Sequence, residues 1–300
     1  MNNPAIVNAA VLPQPVRREF IGRDGGKLIA DAYGDPGAPS VLLLHGGGQT
    51  RHAWGNTAAQ LAAAGWYAFA LDARGHGESA WAADRDYSID TQAHEMRGIW
   101  RELGRPLAAV GASMGGLISM VAAGYAEEPL IDALVLVDIA PQIEASGTDR
   151  VIEFMTANPQ GFESLQAAAE FVAAYRQRPV QKNIDGLKKN MRQNAAGRWV
   201  WHWDPHLLDH RGKSRSDTAH YEQAVRNLRI PALLVRGHHS DVLSEEGAQA
   251  FLRMLPGASY VDLKDAGHMV AGDVNDVFTQ AVTDFLESAL PVLGRGSDTV

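Results

Sequence analysis

At 300 residues and 46% hydrophobic content, the chain is long enough for one large domain or a core with an insertion, and too apolar for a disordered polymer. A formal net charge of −8, with no block of lysine or arginine, argues against nucleic acid or an anionic membrane as partner. The cysteine count is zero, which removes disulfides, thiolate metal sites and a cysteine nucleophile together.

In chain order, residues 4–16 are mildly apolar but lack a basic leading segment and contain Pro13 and Pro15, unlike a signal peptide. No stretch reaches the ~20 apolar residues of a membrane helix. The expectation is a cytoplasmic protein with a small-molecule substrate and neither nucleic acid nor membrane as partner. Val16–Ile21 and Lys27–Tyr33 flank Asp24-Gly25-Gly26, the pattern of an edge hairpin. Ser40–Leu44 and Tyr67–Leu71 are continuously apolar, as strands covered on both faces are, and a helical stretch over 58–64 lies between them. Three more such runs follow at 107–110, 133–137 and 232–235, then a last strand at 258–263 and a closing helix over 274–290. Strands alternating with helices predict an α/β fold with a mostly parallel central sheet and helices on both faces. Segment 141–227 breaks the alternation with helical patches at 164–175 and 185–194. It predicts a helical cap inserted into a core formed by 1–140 and 228–300.

Gly111-Ala-Ser113-Met-Gly115 is a G-x-S-x-G placed between the strand at 107–110 and a helical run at 117–125. A sharp strand-to-helix turn needs glycines two positions either side of the serine, whose Oγ it lifts above the sheet edge. The following helix directs its positive end at the reacting oxygen. Serine is inert at its free pKa and needs a base. Of the eleven histidines, His268 follows the final strand and precedes the closing helix, which puts it at the same edge. The base needs a carboxylate on its other nitrogen. Asp241, in the polar turn after 232–235, is the assigned acid; Asp138, directly after 133–137, is the other candidate. His45-Gly46-Gly47-Gly48 follows the strand Ser40–Leu44, and glycines let backbone N–H groups approach an oxyanion. The donors assigned are Gly47 and Met114, with Gly48 able to replace Gly47.

These motifs, in this order, resemble the α/β-hydrolase superfamily over nearly the whole chain. Asp72-Ala-Arg74-Gly-His-Gly77-Glu-Ser79 is similar to its D-x-R-G-x-G-x-S segment, which is structural there. The resemblance implies a serine hydrolase of a small or medium ester, thioester or lactone, working without cofactor. Serine at 113 disfavours the epoxide hydrolases and haloalkane dehalogenases, which carry aspartate at that place. Carbon–carbon bond hydrolases, cofactor-free haloperoxidases and a non-enzymatic ligand sensor of the same fold stay open. Three weaker patterns have plain readings. Gly75-His-Gly77-Glu-Ser-Ala80 fits a dinucleotide fingerprint, but Asp84-Arg-Asp86 stands where its helix should be. His202, His206 and His210 have a spacing reminiscent of metal ligands, yet Asp204-Pro205 reads as a helix start and no metal is assigned. Trp199, Trp201 and Trp203 either line a pocket or anchor the cap.

Overall fold

The computed structural model describes residues 13–209, 217–268 and 275–290. Its strands are β1 (Val16–Ile21), β2 (Lys27–Tyr33), β3 (Ser40–Leu44), β4 (Tyr67–Leu71), β5 (Leu107–Ala112), β6 (Ala133–Val137), β7 (Met191–Gln193), β8 (Trp199–Trp201), β9 (Ala232–Gly237) and β10 (Ser259–Leu263). The α-helices are α1 (Gly55–Ala63), α2 (Ile89–Leu103), α3 (Met114–Gly124), α4 (Ala145–Thr156), α5 (Leu165–Arg176), α6 (Thr218–Asn227), α7 (Glu245–Met254) and α8 (Asn275–Ala289).

Eight strands make one sheet in the order β1-β2-β4-β3-β5-β6-β9-β10. The hairpin β1–β2 is antiparallel and joins β4 antiparallel; every neighbour pair from β4 to β10 is parallel. Successive side chains of a strand point to opposite faces. Leu42 and Leu44 of β3 accordingly enter one core layer with Ile99 and Trp100 of α2, Ile118 and Val121 of α3, and Phe251 of α7. Val41 and Leu43 enter the other, with Trp54, Leu61, Phe278, Val282 and Leu286. Each fully buried leucine or phenylalanine contributes about 1.5–3 kcal/mol, so burial on both faces explains why β3, β5, β6 and β9 carry no polar face. The mostly parallel sheet expected from the alternation is the observed one.

Two elements differ from the expectation. Helix α2 was not anticipated, although Ile89, Ala93, Met96 and Trp100 recur at helical spacing and the Ser88 hydroxyl caps it by accepting the Thr91 N–H at 3.3 Å. The expected helix at 185–194 is instead a short 3₁₀ turn, Asp185–Lys189, followed by β7. The cause is local: Asn194 Oδ1 accepts the N–H groups of Ala196 and Arg198, Gly197 takes φ +74°, and the chain folds back to pair β7 with β8.

Within segment 141–227, α4, α5 and the β7–β8 ribbon share a small core of Phe162, Ala168 and Met191, flanked by Phe171 and Trp201. Helix α6 does not join it. Tyr221, Ala224 and Val225 lie in the main core, and α6 approaches α3 so closely that a Cβ on Gly124 would stand 2.3 Å from the Ala224 carbonyl oxygen. Helix α6 thus packs with the main core and not with the small core of α4, α5 and β7–β8.

Candidate active site

The parallel strands β3, β5, β6, β9 and β10 all end at one edge of the sheet, where loops collect functional groups. Register keeps the ends level: Leu44 pairs with Gly111, Ala112 with Val137, and Gly237 with Leu263.

Ser113 sits between β5 and α3 at φ +48°, ψ −117°, outside the regions an L-residue prefers. The two flanking glycines are required by contact. A Cβ on Gly111 would lie 2.4 Å from the Gly115 carbonyl oxygen, and one on Gly115 would lie 2.3 Å from that of Leu44. Such approaches leave no room for a side chain, so the turn is held by backbone packing. A cavity of about 360 Å³ opens beside it and brings together Gly47, Ser113, Met114 and His268. One wall is apolar, formed by Leu117, Ile139, Ile143, Val151, Ile152 and Met155.

His268 Nδ1 lies 2.7 Å from Asp138 Oδ2, and this corrects the expected pairing with Asp241. A buried carboxylate accepts, so Nδ1 carries the proton and Nε2 keeps its lone pair for a substrate-side proton. Asp138 is fully buried at φ +53°, and its Oδ1 accepts the Gly237 N–H at 2.9 Å. Asp241 is elsewhere: its carboxylate pairs with Arg150 of α4 at 2.7 Å and is 37% exposed. The reason is reach. Strand β9 runs to Gly237, beyond the 232–235 expected, and the loop after it is tied to the 263–266 turn by His238 N–H to Leu263 O and His239 N–H to Ala266 O. This seats His268 over the end of β6, and Asp241 leaves toward the cap.

Gly47 and Met114, the residues assigned as oxyanion donors, both border the cavity. Gly48 does not compete with Gly47, because its N–H donates to His76 Nε2 at 3.1 Å. Met114 opens α3, where an N–H has no acceptor within the helix. Two buried histidines hold this loop. His45 Nε2 accepts the Ala73 N–H at 3.0 Å while Nδ1–H donates to Gly46 O at 2.8 Å. His76 accepts from Gly48 and donates to Arg74 O at 3.2 Å. Burial lowers the pKa of both, that of His76 far below its ordinary value with the neighbouring His45 adding to the effect. Both therefore serve as neutral connectors. His76 was not singled out by sequence; its signal was a polar ring between two glycines in a segment read as purely structural.

That segment does brace the site. Asp72 accepts the Arg51 N–H at 2.7 Å, Arg51 Nη1 at 2.5 Å and the Glu78 N–H at 3.0 Å. Ser79 Oγ donates to Asp72 O at 2.6 Å and accepts from Ile29 N at 2.9 Å. Gly75 and Ala80 close the turn on itself through a 3.0 Å backbone bond, so the G-x-G-x-x-A match is a compact turn.

Of the three spaced histidines, His202 Nδ1 accepts the Gly77 N–H at 2.8 Å and His206 pairs with Asp209 at 2.7 Å. His210 lies outside the described residues. Two of the tryptophans pack among other rings: Trp201 stacks on Trp203 at 4.9 Å and meets Phe162 edge-on at 5.7 Å. Trp203 in turn covers the Gly46–Gly48 loop, with its Cζ3 3.4 Å from where a Cβ of Gly48 would stand. Among the described residues bordering the cavity, none of the three tryptophans occurs.

The family model described as "Alpha/beta hydrolase family" matches residues 41–281. Esterase Rv0045c of Mycobacterium tuberculosis is 30% identical over 259 residues, covering 84% of each chain. Its crystal structure superposes with a TM-score of 0.74 over 92% of this chain and 93% of that one. The 3-hydroxybutyrate-oligomer hydrolase of Cupriavidus necator is 26% identical over 81% of this chain and 87% of its own. The crystal structure of E-2-(acetamidomethylene)succinate hydrolase, 23% identical, has a TM-score of 0.80 over 91% and 99% of the two chains, a likeness of fold. Among the described residues no helix is long and apolar enough to cross a membrane.

Proposed function

This chain belongs to the α/β-hydrolase family and is a hydrolase, and we propose that it cleaves a small or medium carboxylic ester, thioester or lactone through an acyl-enzyme on Ser113. The observation that carries the reading is the Asp138–His268 pair at 2.7 Å sharing one cavity with a serine strained at φ +48°. Ser113 Oγ attacks the substrate carbonyl carbon as His268 Nε2 takes its proton. Asp138 keeps the imidazole in the needed tautomer and offsets the positive charge it acquires. The N–H groups of Gly47 and Met114 receive the oxyanion, a stabilisation worth about 3–4 kcal/mol per donor in such sites. His268 then protonates the leaving oxygen or sulfur, activates a water against the acyl carbonyl, and returns the proton to Ser113.

The substrate is a small molecule with an apolar acyl part. A cavity of about 360 Å³ lies near the lower end of the ~300–1,000 Å³ range of ligand pockets, and its apolar wall suits hydrocarbon. Val151, Ile152 and Met155 of that wall come from α4, so the cap segment sets acyl length. The test is hydrolysis of p-nitrophenyl acetate and butyrate by the wild type and Ser113→Ala. A burst of nitrophenol stoichiometric with enzyme is expected, together with a loss of roughly 10⁴-fold or more in the variant. Unchanged turnover in Ser113→Ala overturns the assignment.

A further inference from the structure

The oxygen of Asp138 that serves His268 has a second donor. Oδ2 accepts from His268 Nδ1 at 2.7 Å and from Ser240 Oγ at 2.5 Å. Ser240 Oγ itself accepts two backbone N–H groups, those of Val242 and Leu243, each at 3.1 Å. A hydroxyl has one proton and two lone pairs. With both lone pairs engaged by amide donors, the proton is directed at the carboxylate, and the two donors polarise the O–H and strengthen the bond it makes.

We infer that Ser240 is a positioning residue for the reaction, fixing the Asp138 carboxylate so that Oδ2 stays in line with His268 Nδ1. This rests on the reading of Ser113, His268 and Asp138 as the catalytic set. Three donors hold the carboxylate: Gly237 N–H on Oδ1, and the hydroxyl and imidazole on Oδ2. Without the hydroxyl, Oδ2 keeps only the group it is meant to orient, and the carboxylate and ring swing together about the Gly237 bond. The demand on this alignment peaks when the imidazole becomes a cation, so the loss falls on the chemical step. Ser240 is not among the residues bordering the cavity, and substrate binding has no direct contact with it.

The experiment compares Ser240→Ala, Ser240→Thr and Asp138→Asn in the full chain, with kcat and KM on p-nitrophenyl butyrate and a thermal unfolding curve for each. Ser240→Ala is expected to lower kcat about 10- to 100-fold, the size of a lost hydrogen bond to a charged group, with KM within about twofold. Ser240→Thr keeps the hydroxyl and restores most of kcat. Wild-type kcat in Ser240→Ala overturns the inference. So do equal losses in the alanine and threonine variants, because the rate then depends on loop packing and not on the hydroxyl proton. If Asp138→Asn keeps full turnover, the catalytic set itself is wrong. If Asp138→Asn is dead and Ser240→Ala unimpaired, only the role of Ser240 falls.

Discussion

The sheet edge and the small aromatic core of α4, α5 and β7–β8 are built on opposite principles. At the edge, groups are fixed by backbone: Gly111 and Gly115 touch carbonyls that leave no room for a side chain, Ser113 N–H donates to Val137 O, and Asp138 N–H donates to Val235 O. In the aromatic core, position comes from side-chain packing: Phe154 meets Phe171, Tyr175 and Trp201 within 5.6 Å, and Trp201 stacks on Trp203. Backbone-fixed geometry demands particular residue types at particular offsets, whereas aromatic packing accepts many sequences of similar volume. The two regions meet where Trp203 and Met155 press on Gly48. Chemistry is therefore expected to respond most sharply to the edge, and stability and substrate choice to the aromatic core.

The largest effect that tests this division is Asp138→Asn. An amide at 138 donates where a carboxylate accepts, reverses the His268 tautomer, and should cut kcat roughly 10⁴-fold with little change in fold. Steady-state rates with matched unfolding curves decide it. A loss confined to stability would place Asp138 with the structural residues and blur the comparison.

On the aromatic side, Trp203→Ala removes a ring that is 5% exposed and should cost about 3–5 kcal/mol of local or global stability, seen as a lower denaturant midpoint. Activity should fall as well, because the Gly47–Gly48 loop loses its cover. A variant of unchanged stability would mean that the aromatic stack is dispensable and that His45 and His76 suffice to hold the loop.

The seam between the two regions should also titrate. Burial pushes the His202 imidazole down to about 4, so it is neutral in the fold while it accepts the Gly77 N–H. Its folded pKa lies below the unfolded value of about 6.5, so the contribution is complete above pH ~6.5. It is lost as the pH falls through the window from ~6.5 to ~4. The drop corresponds to about 3 kcal/mol, to which His45 and His76 add in the same direction. Unfolding midpoints measured across that window should decline steeply for the wild type and less steeply for His202→Gln. Parallel slopes would show that His202 gains no net protection from the fold.

How far the sequence could be read follows the same line. The meeting of the elbow glycines, Ser113, His268 and the His45–Gly48 loop at one sheet edge was legible because strand-end geometry admits few alternatives there. That α6 packs in the main core was not legible, because its polar residues mask Tyr221, Ala224 and Val225, whose burial depends on α3. The partner of His268 is Asp138 and not the expected Asp241, a distinction the sequence hides because two aspartates follow neighbouring strands at the same edge and periodicity cannot say where β9 stops. Arg236 extends that strand: it is 7% exposed, donates to Leu243 O at 2.9 Å and pairs with Asp262 at 2.6 Å. A buried, paired arginine inside a strand is invisible to a hydrophobicity pattern.

The smallest expected effect is the most discriminating for that distinction. Asp241 and Arg150 form an ion pair with side chains 37% and 51% exposed, a setting in which such pairs contribute about 0–1 kcal/mol. Asp241→Asn should therefore reduce turnover less than ~10-fold, against ~10⁴ for Asp138→Asn. Its residual effect should appear in the choice between short and long acyl chains, since Arg150 lies on the helix that supplies Val151, Ile152 and Met155 to the cavity wall. The backbone beneath the pair is tighter than the pair itself. Glu144 N–H donates to Val242 O at 2.8 Å, and a Cβ on Gly147 would stand 2.0 Å from the Asp241 carbonyl oxygen. Removing the carboxylate leaves that contact intact, so α4 stays seated and only its outer end gains freedom. Rate ratios for p-nitrophenyl acetate and longer esters in Asp241→Asn measure that freedom directly. A collapse of turnover on every ester would instead return Asp241 to the catalytic set.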